Sequence, residues 1–417
     1  MTRRKNKKKN SKVLIIFLFL IILGIGGYYL YQKNLIDKEL LNKTLEKAAI
    51  KASYNEYVIT KTETNLYNSN YEIAGKVSED MYLELSPLED NYDYESPYFK
   101  LKNLDLYIKY TDIKKSDIKE YDTRYKNYIP FNKNIKVKEN TKIYLDESTY
   151  YEISSQLEFP IIINEEDRYY IEYDNKLVYV LKDQEVEEKE SDNNSEPIAT
   201  GIPILNYHFV INLEAGEGPL CEPASICHTD TQFDSHIEYI KNNNFYSITM
   251  KELEMFLDNK INLPKKSVSI TIDDGWFVGR SIPILEKYDV MATLFLIGSL
   301  APVSDYASKN LEVHSHTWDL HNVSNCQEGR SALLCLDKAK LVTDLKQSRE
   351  SLNNTTYFCY PFYEYNNHAI EALKEAGFTM ALTGGNKRAT KGIDKYKVPR
   401  YVIYNTTTVN ELANIIN

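Results

Sequence analysis

Ser269-Ile270-Thr271-Ile272-Asp273-Asp274-Gly275-Trp276 is an apolar, β-branched run that ends in two adjacent carboxylates and a glycine. Further along, His316-Thr317-Trp318-Asp319-Leu320-His321 places two imidazoles five residues apart. One carboxylate and two imidazoles make a three-ligand set that leaves a coordination position open for water. The second carboxylate can then act as a base beside that water. Charges at the end of a buried-looking strand are costly unless paired or metal-bound, which separates this Asp-Asp-Gly from an ordinary turn or helix cap. Neighbouring residues at a strand end point to opposite faces, so the two carboxylates take different tasks. His314, two residues before His316, shares its face and is expected as a supporting partner or an alternative ligand.

Such a set must be positioned by a scaffold, and from Ile202 the chain alternates between strand and helix patterns. Strands are expected at 202–206, 267–273, 291–297, 311–314, 356–361 and 379–383. Helices are expected at 231–243, 250–259, 281–288, 336–352, 367–376 (ended by Gly377) and 409–416. The alternation argues for a parallel α/β sheet or barrel, in which functional groups gather at the C-terminal strand ends. Asp273, Asp274, His314, His316 and Pro361 fall there.

The first half reads differently. Residues 1–12 carry seven basic residues and no acid, although the whole chain is −10. The rest is therefore acidic, which argues against a nucleic-acid partner. Residues 13–31 lack charge and would span roughly 28 Å as a helix, enough to cross a bilayer core. The basic flank assigns 1–12 to a cytoplasmic tail and everything beyond about residue 33 to the outside of a cell membrane crossed once. No Ala-x-Ala pattern follows the run, so an uncleaved anchor is expected rather than a signal peptide.

A helical stalk is expected over 33–53. Two tyrosine-rich β modules follow, at 54–130 and 131–186, similar in strand order to bacterial SH3-like wall-binding modules. An acidic linker covers 187–199, and the catalytic domain covers 200–417. The 35 tyrosines suit both strand faces and sugar stacking. Cys221 with Cys227, and Cys326 with Cys335, bracket short loops. They are expected as two local disulfides of an oxidising compartment, although spacing alone does not fix the pairing. Cys359 remains as a buried thiol.

Four segments in order, 202–208 (Ile-Pro-Ile-Leu-Asn-Tyr-His), 271–275, 315–321 and 358–362, resemble the polysaccharide deacetylases. This is the NodB-homology domain of carbohydrate esterase family 4, in its membrane-associated branch acting on N-acetylglucosamine polymers. The resemblance covers about residues 200–417 and implies a distorted (β/α) barrel. It implies a divalent metal, zinc first and cobalt, nickel or manganese as alternatives, on Asp274, His316 and His321. It makes Asp273 the general base and puts a backbone N–H near Phe362 at the oxyanion, with Tyr360 in the same motif. Trp276 and Trp318 flank the motifs and are candidates for sugar stacking, with packing as the competing role.

Three departures stand out. Cys359 replaces the arginine that often opens the third motif, and Arg400, in Val398-Pro399-Arg400-Tyr401, is the expected substitute. Tyr363 stands where glycine is common, which narrows the groove. The terminal helix has no histidine to serve as acid, which leaves His208. The expected activity is N-deacetylation of a cell-envelope polysaccharide, peptidoglycan first and poly-N-acetylglucosamine second. An O-acetyl esterase of xylan-like glycans and a non-catalytic wall-binding protein are the alternatives. Oligomeric state is not legible.

Overall fold

The structure is a computed structural model. It describes residues 3–89, 92–184, 186–193, 196–321 and 326–417, with the backbone alone over 3–20. The chain divides into two compact units.

The first unit comprises residues 1–121, 138–156 and 174–178. It opens with one long helix, Arg3–Ser53. Among the described residues no helix is long and apolar enough to cross a membrane. The predicted span lies partly outside them, since the side chains of 13–20 are not described. Next come two antiparallel arrays. In one, Tyr57–Thr60 pairs with Tyr82–Glu84 and Ile113–Lys115. In the other, strands pair in the order Lys142–Tyr144, Tyr150–Ile153, Ile73–Val77, Thr64–Tyr67, Tyr107–Lys109 and Tyr98–Lys100. Alternating burial along Ile73–Val77 and Tyr150–Ile153 sends Val77, Tyr151 and Ile153 into a core with Leu66, Leu83, Phe99 and Ile108.

The second unit holds residues 122–137, 157–173 and 179–417. The two units therefore cut across both predicted β modules: hairpin 142–153 joins strands of the first module, whereas 122–137 and 157–173 belong with the α/β domain. The stretch read as a linker also differs. Val186–Glu190 is a strand paired with Lys133–Val137, whose other edge carries Leu157–Pro160. Four acidic or lysine side chains in a row hid it, because an exposed edge strand needs no apolar alternation. Arg124 fixes this segment to the α/β domain through Glu252, which also accepts from Tyr128 and Tyr246.

The α/β domain is built on a curled, parallel sheet. Its strands are β1 (Ile204–Tyr207), β2 (Ser267–Asp274), β3 (Ala292–Leu296), β4 (Leu311–Ser315), β5 (Tyr357–Cys359), β6 (Met380–Leu382) and β7 (Tyr401–Val402). They run in the order β6-β5-β4-β3-β2-β1-β7, with Tyr246–Ser247 at the side of β2. Strands β2 and β3 are buried at every position, as a sheet covered on both faces requires. The covering helices are α1 (Asp230–Asn242), α2 (Met250–Leu257), α3 (Ile282–Tyr288), α4 (Lys338–Ser351), α5 (Asn367–Ala376) and α6 (Val409–Ile416). Thr249 and Glu252 form a reciprocal cap on α2, as Thr408 and Glu411 do on α6. Gly377, at φ 90°, ends α5 where a side chain would be strained. Phe233, Ile237, Ile240, Leu285, Leu294 and Leu412 lie in the main core between helices and sheet.

Candidate active site

Strand alternation alone would send Asp273 and Asp274 to opposite faces. Instead Asp274 takes a left-handed φ of 76° and Gly275 follows at φ 121°. A Cβ on Gly275 would stand 2.5 Å from the Leu296 side chain, so the turn tolerates only glycine there. Both carboxylates end up buried, at 2% and 4% exposure. Thr317, Phe362 and Tyr363 are also left-handed, at φ 75°, 57° and 64°. Such strained residues collect at functional sites and persist only where the surroundings hold them.

Asp274, His316 and His321 converge, each offering one ligand atom within 4.8 Å of the others. Asp274 Oδ1 lies 3.3 Å from His316 Nε2 and 3.0 Å from His321 Nε2. His316 Nδ1 is 2.8 Å from the Cys359 carbonyl, which can only accept, so the proton sits on Nδ1 and Nε2 presents a lone pair. That lone pair faces an oxygen that is itself buried and makes no hydrogen bond among the described residues. Facing acceptors in a buried place fit a cation between them, and a carboxylate–bis-imidazole set fits a borderline divalent metal such as zinc. The Asp274 carboxyl is held far below its ordinary range: burial would raise it, but the two imidazoles outweigh burial.

Asp273 is arranged in the opposite way. Its oxygens accept from Arg400 Nη1 and Nη2, each at 2.8 Å, and Cys359 Sγ lies 3.4 Å from Oδ2. Burial pushes this carboxyl up, but Arg400, with His316 and His208, holds it below the usual carboxylate range. Arg400 is itself fully buried and also donates to Thr271 Oγ1 and the Thr383 carbonyl. Arg400, expected as the substitute for the missing arginine, thus lies beside the Asp273 carboxylate, although the two stand at different strand ends. Burial drives the Cys359 thiol well above its usual pKa. Asp273, His316 and Cys359 form a second group with metal-ligand spacing. Arg400 Nη2 lies 2.8 Å from both Asp273 Oδ2 and Cys359 Sγ, so a metal there would meet a fixed positive charge.

His208 follows β1, with Nδ1 buried and without a hydrogen bond among the described residues. Burial lowers its pKa, while the nearby Asp273 and Asp274 pull it upward. Phe362 places its ring 4.8 Å from that of His321, and its backbone N–H has no acceptor among the described residues. Trp276 sits edge-on to His321 at 6.2 Å and packs on Phe209, beside the Cys221–Cys227 disulfide. Tyr363 donates to Asn206 Oδ1 at 2.6 Å, tying the third motif to β1. Asn206 escaped the sequence reading because its only signal was a polar residue in an apolar strand.

Two expectations, for Tyr360 and His314, fail. Tyr360 is fully buried, donates to the Tyr396 carbonyl and stacks on Tyr365, so it is a core residue. Trp318 packs its half-buried ring where a Cβ on Gly298 would stand, at 2.6 Å, as the competing packing role has it, while its backbone N–H donates to Asp344. His314 supports neither ligand: its Nδ1 meets Thr355 Oγ1 at 2.6 Å and its Nε2 lies 3.3 Å from Glu312. The strand ends at Ser315, and the face shared by alternation ends with it. Both expected disulfides, Cys221–Cys227 and Cys326–Cys335, are formed, and Cys359 is a buried free thiol.

The parallel sheet thus gathers, at and beyond its strand ends, a carboxylate pair and two histidines that could hold a metal ion. Residues 260–381 match the family model for polysaccharide deacetylase. The matched stretch holds Asp273, Asp274, His316 and His321, and the chain is similar there to polysaccharide deacetylases. It is similar to the poly-beta-1,6-N-acetyl-D-glucosamine N-deacetylase of Staphylococcus epidermidis, 29% identical over 232 residues that cover 48% of this chain and 78% of the relative. The Staphylococcus aureus enzyme of the same name is 28% identical over 227 residues, covering 48% and 77%. Among solved structures, IcaB from Ammonifex degensii aligns at 22% identity and a TM-score of 0.44, covering 53% of this chain and 99% of its own. The deacetylase PplD of Streptococcus pyogenes, in complex with acetate, aligns at 22% and 0.43, covering 52% and 99%.

Proposed function

We propose that this chain is a metal-dependent polysaccharide N-deacetylase acting on N-acetylglucosamine units of a cell-envelope polysaccharide. The observation that carries the reading is the pair of neighbouring buried carboxylates, one neutralised by Arg400 and the other facing the Nε2 atoms of His316 and His321. Asp274, His316 and His321 would hold the metal. A divalent ion so bound supplies a water of lowered pKa and a Lewis acid for the acetamide carbonyl. Asp273 takes a proton from the attacking water, and Arg400 keeps it ionised and aimed. The Phe362 N–H donates to the oxygen on which charge develops. His208 gives a proton to the departing nitrogen. Overall one water is consumed, the C–N bond breaks, a C–O bond forms, and acetate and a free amine leave.

Peptidoglycan and poly-N-acetylglucosamine both carry the required acetamido sugar, and the names of the staphylococcal relatives support the second. We further propose that the domain works outside a membrane. The basic 1–12 segment, the uncharged 13–31 run and the two disulfides support this reading. Protease added to intact cells should then remove the catalytic domain, and full protection would contradict it. The activity is tested with the purified full chain, stripped of metal and reloaded, by acetate release from N-acetylated and O-acetylated glycans. Metal-dependent release from the N-acetylated glycan is expected. Release from the O-acetylated glycan alone, or none with metal bound, would contradict it.

A further inference from the structure

Every arginine whose side chain is described has a protein acceptor except one. Arg124, Arg168, Arg280 and Arg400 pair with carboxylates, and Arg349 and Arg388 donate to backbone carbonyls. Arg330 makes no ion pair and no hydrogen bond among the described residues, and it is exposed. It is nevertheless held in a defined place. Its guanidinium lies 4.5 Å from the ring centroid of Phe362, whose other neighbour is the His321 ring at 4.8 Å.

The loop that carries Arg330 is closed by the Cys326–Cys335 disulfide. Next to Arg330, the Ser331 N–H donates to Glu364 Oε2 at 2.7 Å. Asn366 Nδ2 donates to the Leu334 carbonyl at 3.0 Å. Both contacts fasten the loop to the segment that contains Phe362. A stacked guanidinium keeps its in-plane N–H donors available, and their fork matches a carboxylate. A cation so placed, one ring away from His321 and with no anion of its own among the described residues, lacks the partner that its geometry suits.

We propose that Arg330 binds a carboxylate on the sugar adjoining the N-acetylglucosamine that is hydrolysed, so that the preferred substrate is an acidic glycan rather than a neutral homopolymer. This rests on the deacetylase reading and deepens it. Alternating sugars of a peptidoglycan strand bear a lactyl ether that ends in a carboxylate or an acidic peptide, whereas a poly-N-acetylglucosamine offers only hydroxyls and acetamides. The chain is acidic overall, so a general attraction for anions is not the source of the preference.

The test uses the full chain, metal-loaded, as the parent and as Arg330→Gln and Arg330→Lys, with metal content confirming an intact site. Substrates are a lactyl-carboxylate glycan oligomer, the same oligomer with its carboxylates converted to methyl amides, a neutral N-acetylglucosamine oligomer and a phosphate-bearing oligomer. Parent kcat/KM for acetate release should favour the carboxylate oligomer over its amide by about tenfold, the loss expected for one charge-assisted hydrogen-bonding contact. Arg330→Gln should collapse that ratio through KM, and Arg330→Lys should restore part of it. An unchanged ratio in Arg330→Gln, no preference in the parent, or a stronger preference for phosphate would overturn the proposal. Calorimetric binding of the carboxylate and amide oligomers is measured alongside. If no substrate yields acetate, the deacetylase reading fails while Arg330 is still judged by binding.

Discussion

Asp273 and Asp274 are chain neighbours, both buried, and the two halves of the cleft hold them in contrary ways. On one side Asp273 is enclosed by protein donors: two from Arg400 and the Cys359 thiol. On the other side Asp274 faces the Nε2 atoms of His316 and His321, and among the described residues it makes no ion pair with a lysine or arginine. Burial costs both carboxylates the same solvation. The difference is the source of the compensating charge, which is the Arg400 guanidinium for Asp273 and, under the proposed function, a bound metal for Asp274. Under the proposed function, the contrast separates the carboxylate that takes a proton from the one that would hold the ion.

The sharpest way to break the contrast is Asp274→Ala. It should abolish both metal binding, by elemental analysis, and acetate release; stoichiometric metal in this variant would mean the ligand set is wrong. Asp273→Asn should keep its metal while kcat falls about 10²- to 10⁴-fold, the usual worth of a positioned acid or base. Turnover equal to the parent's would remove Asp273 from the mechanism. Arg400→Met leaves Asp273 as a buried, unpaired charge. Urea unfolding should show a loss of about 3–5 kcal/mol, with turnover reduced as well; a loss below about 1 kcal/mol would mean the pair is not buried as described. The smallest effect is expected for Tyr363→Phe, which removes the hydrogen bond to Asn206 at about 1 kcal/mol and leaves metal content alone. A loss of metal there would show that the third motif positions the ligands.

Much of this cleft was legible in the sequence because its parts are local. A buried strand ending in Asp-Asp-Gly and a histidine pair after another strand carry their chemistry in a few consecutive residues, and the parallel sheet brings its strand ends together. Arg400 was found by asking what could replace a missing charge. What escaped depended on contacts that no local pattern encodes. Tyr360 lies within the third motif yet turns into the core, and His314 pairs with Glu312 two residues away on its own strand. Trp318 was drawn to Gly298, a partner visible only after folding. The left-handed turn at Asp274, which gathers both carboxylates, had only Gly275 as a hint. The N-terminal strands were recognised as strands, but their grouping was not, because antiparallel pairing between distant hairpins leaves no periodic mark.

Two overlapping groups share His316, one completed by Asp274 and His321 and the other by Asp273 and Cys359. X-ray absorption at the zinc edge on the zinc-loaded chain distinguishes them directly. The account predicts a first shell of nitrogen and oxygen only, at about 2.0–2.2 Å. A sulfur scatterer at about 2.3 Å would place the metal on Cys359 and contradict the division of labour between Asp273 and Asp274.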